Sequence, residues 1–204
     1  GAGTDSYTIN GTGLVRLDFR DGTEALDINL GNTADQILND GFGNTETIGG
    51  TSSLWEVQGS GFDDVFTGSS GDESYRAFGG NNTLDGGEGF DRVRYDRGTI
   101  ASVDIDAENG AVIGALSNGG TFTDTITGFE RLRGSDGNDQ ITGAASVDNL
   151  LEGEGGSDTF VHLGGNDTIV DFDPSTEALT VRLAGLDQAQ VDAALNNATE
   201  VPGG

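Results

Sequence analysis

The 204-residue chain contains no cysteine, no methionine and no lysine, and it has one histidine, His162. Without cysteine, disulfides, thiolate catalysis and cysteine-based zinc sites are excluded, and the redox compartment stays open. Because His162 has no second histidine to share a zinc ion with, we expect it at a solvated strand edge. No stretch approaches the roughly 18 apolar residues of a membrane span, and no signal peptide opens the sequence. A start without methionine, inside a partial repeat, suggests a processed segment.

Basic residues are also scarce. The chain carries 35 acidic residues against 9 basic ones, all arginine, for a formal net charge of −26. Such a charge opposes compaction unless counter-ions bind. It argues against nucleic acid and anionic membrane surfaces as partners and favours cations. With only 33% hydrophobic residues and 36 glycines, the chain has too little apolar material for a thick core and too much glycine for long helices.

What the sequence does contain is a nine-residue repeat. In the first block the acidic or amide residue of each repeat is Asp64, Glu73, Asn82 and Asp91, and two positions later stand Phe66, Tyr75, Leu84 and Val93. In the second block the residues are Asp139 and Asp148, then, after a one-residue slip, Asp158 and Asp167, followed by Ile141, Leu150, Phe160 and Ile169. Turn preference alone does not impose this period.

The repeats alternate with strand-rich segments. Apolar residues alternate with polar ones in each, which predicts short strands; they are Val15, Leu17 and Phe19, then Leu26, Ile28 and Leu30, then Val103 and Ile105. We therefore expect one solenoid over 1–182, with nonapeptide blocks 1–8, 59–94 and 134–170 and spacers 9–58 and 95–133. The tail, 183–204, contains a predicted short helix over 186–198.

The repeat has a physical interpretation. Successive glycines allow a tight turn with inward carbonyl oxygens, the aspartate adds a hard anionic oxygen, and the next three residues make a minimal strand. Two repeats form one 18-residue coil, so equivalent turns stack and bring carboxylates and carbonyls together. Six to eight oxygen ligands at about 2.3–2.6 Å are what Ca²⁺ prefers.

The sequence "GGEGFDRVR" (86–94) and the sequence "GEGGSDTFV" (153–161) resemble the haemolysin-type calcium-binding repeat of the RTX (repeats-in-toxin) family, and "GSDGNDQIT" (134–142) misses only one glycine. "GGNDTIVDFDP" (164–174) resembles the closing repeat of such modules. The resemblance implies an all-β fold, a right-handed parallel β-roll or β-helix solenoid with a short C-terminal helix, and Ca²⁺ as its cofactor.

The resemblance also implies metal ligands. The stacked pairs should be Asp64 with Asn82, Glu73 with Asp91, Asp139 with Asp158, and Asp148 with Asp167. Because Asn82 lacks a charge and Glu73 is longer, we expect the 134–170 block to bind more strongly and the sites around 59–82 to be weak or empty. The full set of candidate ligands is Asp5, Asp64, Glu73, Asn82, Gly89, Asp91, Gly137, Asp139, Asp148, Gly156, Asp158, Gly165 and Asp167.

No catalytic motif stands out, so the sequence predicts a protein that is not an enzyme. The resemblance implies secretion from a bacterium, through a type I channel, and calcium-triggered folding outside the cell or on its surface. We expect a structural module of a larger or self-assembling protein (a surface layer, fibre or adhesin), since joining Gly204 to Gly1 of another copy would complete a repeat.

Two alternatives stay open. One is a folding and secretion module of a secreted hydrolase or epimerase. The other is a module that binds extracellular polysaccharide through Trp55, Tyr75 or Tyr95. Cleavage at Asp173-Pro174 is a further hypothesis, which we weigh against a simple turn.

Overall fold

The computed structural model describes residues 6–8, 16–31, 37–49 and 56–181. Every regular element within these ranges is a β-strand, which confirms the all-β prediction. Asp5, Val15, Trp55 and the predicted C-terminal helix lie outside the described residues. The right-handed winding stays a prediction.

The strands form two long sheets and one short one. Sheet 1 contains β2 (Arg16–Asp18), β6 (Glu56–Gln58), β8 (Ser74–Arg76), β10 (Arg92–Arg94), β14 (Arg131–Arg133), β16 (Leu150–Glu152) and β18 (Thr168–Ile169). Sheet 2 contains β3 (Leu26–Asn29), β4 (Ile37–Asp40), β7 (Val65–Thr67), β9 (Thr83–Asp85), β11 (Ile100–Asp106), β12 (Ala111–Leu116), β13 (Thr121–Thr127), β15 (Gln140–Thr142), β17 (Thr159–His162) and β19 (Ala178–Val181). A separate pair consists of β1 (Ser6–Thr8) and β5 (Thr47–Gly49).

In the repeat blocks the chain alternates between the two sheets. Each nonapeptide contributes a turn and one short strand, and each strand pairs in parallel with the equivalent strand one coil away. A three-residue strand points only its middle side chain inward. The core is therefore two rows of single side chains, Val57, Tyr75, Val93, Leu132 and Leu151 from sheet 1 and Ile28, Phe66, Leu84, Ile126, Ile105, Ile141 and Phe160 from sheet 2, all at most 3% exposed.

The spacers join the same sheets. In sheet 1, β10 pairs directly with β14, whereas in sheet 2 the antiparallel strands β11, β12 and β13 lie between β15 and β9. The earlier spacer adds the antiparallel pair β3 and β4. The predicted alternation is confirmed at Val103 and Ile105, whose side chains are buried.

The inward residue of one repeat was predicted wrongly. Leu151, at 1% exposure, faces the core and pairs with Leu132 and Ile169, while Leu150 is only half-buried. The turn before β16 contains one extra residue. The slip in the repeat therefore lies between Asp139 and Asn149, and only the repeat of Asn149 is shifted by one residue relative to the sequence interpretation.

The arginines of sheet 1 share its outer face. Glu56 is 3% exposed and lies 2.8 Å from Arg16 Nε and 2.6 Å from Arg94 Nη1. On the neighbouring strands, Glu152 pairs with Arg131 and Arg133. Positive charge thus lies on this face, and the turns at the sheet edges are left with the excess of carboxylates.

Candidate metal-binding turns

The last residue of each turn, together with the equivalent Asp124 within β13, is here called a turn-end residue, and each stacks on its equivalent one coil away. Two columns result. The column entering sheet 2 comprises Asp64, Asn82 and Asp124, and, beyond the β11–β13 insertion, Asp139 and Asp158; the column entering sheet 1 comprises Glu73, Asp91, Glu130, Asn149 and Asp167.

A hydrogen bond links the neighbouring pairs in the same way, except that at Glu130 and Asn149 the Asn149 Nδ2 donates to the Glu130 backbone oxygen instead. The backbone N–H of one turn-end residue donates to a side-chain oxygen of the next. The N–O distances are 2.9 Å from Asp64 to Asn82 Oδ1, 2.6 Å from Glu73 to Asp91 Oδ1 and 2.9 Å from Asp139 to Asp158 Oδ1. These three predicted pairs are therefore brought together.

The fourth predicted pair does not form. Asp167 Oδ1 accepts the N–H of Asn149, at 2.9 Å, rather than that of Asp148. Asp148 is exposed, and its Oδ1 accepts the N–H of Asn166. The extra residue in the preceding turn moves Asn149 into the column and Asp148 to its outside.

The nine-residue spacing of the repeat did not predict two members of the columns. Asp124 Oδ1 accepts the N–H of Asn82, and Glu130 Oε2 accepts the N–H of Asp91, both at 2.8 Å. The β11–β13 insertion breaks the period at this point. The shorter pattern of an acidic residue two positions before a buried apolar one, as in Asp124 and Ile126, is preserved and could have found them.

In three turns a serine caps the second carboxylate oxygen. The serine lies four residues before the turn-end residue, which we call the capping position. Ser135 donates its N–H to Asp139 Oδ2 (2.6 Å) and its hydroxyl to Oδ1 (2.8 Å), and its Oγ accepts the N–H of Gly137 (3.0 Å). The same three bonds recur at Ser60 with Asp64 and at Ser69 with Glu73.

In two other turns the second oxygen has no partner. Asp91 and Asp158 are 0% and 1% exposed, and their Oδ2 atoms are buried without a hydrogen bond. Burial raises the pKa of the Asp91 carboxyl to about 7, and nearby Glu73 and Glu130 add to the shift. Burial likewise raises the pKa of Asp158. A buried anionic oxygen without a donor is costly, so each of these positions calls for a cation or a proton.

Backbone carbonyls border the same turns. A Cβ on Gly89 would lie 2.1 Å from the Gly71 oxygen and 3.3 Å from Asp91 Oδ2, and one on Gly156 would lie 2.3 Å from the Gly137 oxygen. A Cβ on Gly165 would meet the Val147 oxygen at 2.1 Å. Glycine is needed here because the carbonyls of one coil approach the α-carbons of the next.

Side-chain carboxylates alone do not form a metal site in these turns. Within the described ranges, no three His, Asp or Glu side chains converge in the manner of an all-side-chain metal site. A cation between two coils would therefore take backbone carbonyls as well as Asp91 or Asp158. Hard oxygen ligands of both kinds suit Ca²⁺.

The lone histidine belongs to the last turn of the sheet 1 column. His162 Nδ1 lies 2.7 Å from Asp167 Oδ2. Its side chain is 24% exposed, so the expected solvated edge position is only partly correct. His162 thus occupies the second oxygen of Asp167.

The tyrosines proposed as a sugar platform are core residues. Tyr75 and Tyr95 are 1% and 0% exposed, and they donate their hydroxyls to Asp64 Oδ2 (2.7 Å) and Asp124 Oδ2 (2.9 Å). Neither ring is available for stacking on a saccharide, so the interpretation of Tyr75 and Tyr95 as a binding surface is wrong.

Comparison with known families agrees with this geometry. Residues 124–150 and 146–169 match the family model of the RTX calcium-binding nonapeptide repeat (4 copies). Residues 124–169 of this chain carry RTX-type calcium-binding repeats. RTX nonapeptide repeats bind Ca²⁺, and RTX repeat proteins are generally secreted by bacteria. No curated protein matches the chain.

The RTX match begins at Asp124 and includes Asp139, Asp158 and Asp167, whereas Asp91 lies outside it. The unpartnered carboxylates and the close carbonyls of this structure fit Ca²⁺ at the Asp91 and Asp158 turns. In the described part of the chain, no helix has the length and apolar character needed to span a membrane.

Proposed function

We propose that this chain is a structural module that folds when Ca²⁺ binds, after secretion to the bacterial exterior. The observation that carries the proposal is the pair of buried, unpartnered carboxylate oxygens at Asp91 and Asp158. They occur in the two turns that precede "RVR" and "TFV", the best matches to the RTX pattern. The oxygens lie between coils, so a cation bound there joins one coil to the next.

Calcium couples to folding because the ligands come together only in the folded chain. A ligand that binds only the folded state stabilises it by about 2.7 kcal/mol per site at a hundred times Kd. Extracellular calcium modules often have Kd values of about 10⁻⁴–10⁻³ M. Such a chain is unfolded at cytosolic calcium and folds outside, which suits export through a type I channel. Repulsion among the acidic turns opposes folding until the cation arrives.

The module is proposed to serve as a part of a larger or self-assembling surface protein. In the last coil that the structure describes, Val170 and Leu179 are 52% and 48% exposed, although Leu179 continues the inner row from Phe160. An apolar row left open at the edge of the described coils favours stacking on another coil. Attachment to a secreted hydrolase or epimerase is the second proposal, and in neither case does this module itself perform catalysis.

Far-UV circular dichroism tests the folding proposal. The chain is compared in chelator, in millimolar Ca²⁺ and in equal Mg²⁺. We expect a coil-like spectrum in chelator and a β spectrum with Ca²⁺, because Mg²⁺ resists giving up its waters for a cage of carbonyls. A β spectrum in chelator that Ca²⁺ leaves unchanged would contradict the proposal.

A further inference from the structure

The turns fall into two conformational classes. In the turns ending at Asp91 and Asp158, the capping position is left-handed, with φ of 94° at Gly87 and 71° at Glu154. Gly89 and Gly156, two residues before the turn end, are also left-handed, with φ of 134° and 114°. In the turns capped by Ser60, Ser69 and Ser135, neither of these positions is left-handed.

The backbone difference decides what the capping position can bind. At Ser135 the N–H points back into its own turn and reaches Asp139 Oδ2. At Glu154 the N–H points away and donates to Asp171 Oδ2, at 2.7 Å. Asp158 Oδ2 is therefore left without a donor, while both oxygens of Asp139 are hydrogen-bonded.

At the serine-capped turns, hydrogen bonds from the serine satisfy the carboxylate oxygens, as a bound cation would at the turns of Asp91 and Asp158. Asp139 accepts from the Ser135 N–H, the Ser135 hydroxyl and the Val103 N–H, and Asp64 accepts from Ser60, Leu26 and the Tyr75 hydroxyl. Hydrogen bonds to a carboxylate stabilise its charged form. A cation entering such a turn would have to displace the serine.

We propose that Ser60, Ser69 and Ser135 replace Ca²⁺ at their turns, so that Ca²⁺ binds the described coils only at the turns of Asp91 and Asp158. The inference rests on the proposed function and specifies which turns carry it out. The expected stronger binding of the 134–170 block is replaced by one cation site in each block. Each of these sites stacks on a serine-capped turn, Glu73 facing Asp91 and Asp139 facing Asp158.

The test counts the Ca²⁺ ions bound per folded chain by equilibrium dialysis. Asp91→Asn and Asp158→Asn should each bind one ion fewer than the natural chain. Ser69→Gly and Ser135→Gly should each bind one ion more, because they remove the cap and allow the left-handed conformation of Gly87. The control Ser70→Gly changes an exposed serine of the same turn as Ser69 and should leave the number unchanged.

Two results separate the claims. If the natural chain binds no Ca²⁺, the proposed function fails. If the natural chain binds Ca²⁺ but Ser69→Gly and Ser135→Gly bind the same number as it does, the serine-capped turns do not exclude the cation and this inference is overturned. Circular dichroism of each variant at the dialysis calcium concentration establishes that it is folded when the ions are counted.

Discussion

At the scale of single residues, the columns of turns hold carboxyls whose burial changes their acidity. Asp124 is 3% exposed, and its oxygens accept hydrogen bonds from Asn82 and Tyr95. Burial raises the pKa of the Asp124 carboxyl to about 6, from an ordinary value of 3.8, and the hydrogen bonds only partly oppose it. Neither a capping serine nor a glycine turn precedes Asp124, because Asp124 lies within the strand β13.

This raised pKa predicts a pH dependence. Between about pH 4 and 6 the folded chain keeps the Asp124 proton and the unfolded chain has lost it, so the stabilisation is fully present below pH 4 and is lost as pH rises through 6. Asp124→Asn removes this titration. The difference in unfolding free energy between the natural chain and Asp124→Asn, from urea denaturation in saturating Ca²⁺, should therefore shift by at most about 3 kcal/mol from pH 4 to 7.

The direction of that shift is the decisive feature. The natural chain should lose stability relative to Asp124→Asn as the pH rises. A constant difference across the range, or a gain by the natural chain, would show that Asp124 is not the buried acid described here. Comparing the two chains cancels the pH dependence of calcium binding, since both keep Asp91 and Asp158.

Glycine at the coil contacts gives a second residue-level prediction. Gly89→Ala places a Cβ 2.1 Å from the Gly71 carbonyl oxygen and forces alanine into a φ of 134°. Strain of this kind costs about 1–3 kcal/mol, and displacing the carbonyl adds to it. Urea denaturation in saturating Ca²⁺ measures the loss. Gly98→Ala is the control, because its Cβ meets nothing within 4 Å, and it should change stability by less than about 0.5 kcal/mol.

At the scale of strands, the outer face of sheet 1 depends on a buried carboxylate. Glu56 on β6 pairs with Arg16 on the neighbouring strand β2 and with Arg94 on β10, beyond β8, and Arg94 also pairs with Asp96. Glu56→Gln removes the charge and keeps the shape, which should lower the unfolding free energy by about 3 kcal/mol.

The matched control for Glu56→Gln is Asp18→Asn. The Asp18 side chain is 36% exposed and pairs with Arg20, which is 47% exposed. Exposed ion pairs contribute about 0–1 kcal/mol. Equal effects of the two substitutions, again measured by urea denaturation, would mean that the buried network of sheet 1 contributes no more than a surface pair.

The repeats of the first block could be predicted from sequence in full register because local chemistry fixes them. Asp64, Glu73, Asn82 and Asp91 fall in phase, and each leads to one buried side chain two residues later. Glycine turns and single inward residues are local properties, so counting suffices. The same reasoning paired Asp139 with Asp158 correctly.

What counting could not predict depends on contacts between distant segments. The sequence does not reveal the extra residue before Asn149, because Asp148 and Leu150 fit the nine-residue repeat as well as Asn149 and Leu151 do. Only stacking on β14 and β18 decides between the two registers. Likewise, the capping serines are ordinary turn residues in the sequence. Their capping role can be recognised only when the hydrogen-bond partners of both oxygens of each carboxylate are known from the structure.

At the scale of the whole molecule, charge is divided between two regions. Arginines cluster on the outer face of sheet 1, while the formal net charge of −26 leaves the turns strongly acidic. The core is only one side chain thick from each sheet, so apolar burial per residue is small. Such a chain depends on cations between its coils to overcome repulsion.

This dependence predicts a large change in size. A 204-residue unfolded chain has a radius of gyration on the order of 50 Å, and an acidic chain is at least as expanded. Small-angle X-ray scattering should show a fall from about this value in chelator to less than about 30 Å in millimolar Ca²⁺. Equal radii in the two conditions would contradict calcium-driven compaction.

The most direct test of the central claim is the calcium concentration at which the chain folds. Circular dichroism follows the titration of the natural chain, of the double variant Asp91→Asn/Asp158→Asn, and of the control Asp63→Asn/Asp136→Asn, which removes two exposed carboxylates from the same blocks. The account predicts that the first double variant needs at least about ten times more Ca²⁺, equivalent to about 1.4 kcal/mol, and that the control stays within about twofold. If both double variants fold at the calcium concentration of the natural chain, the unpartnered carboxylates are not where Ca²⁺ acts.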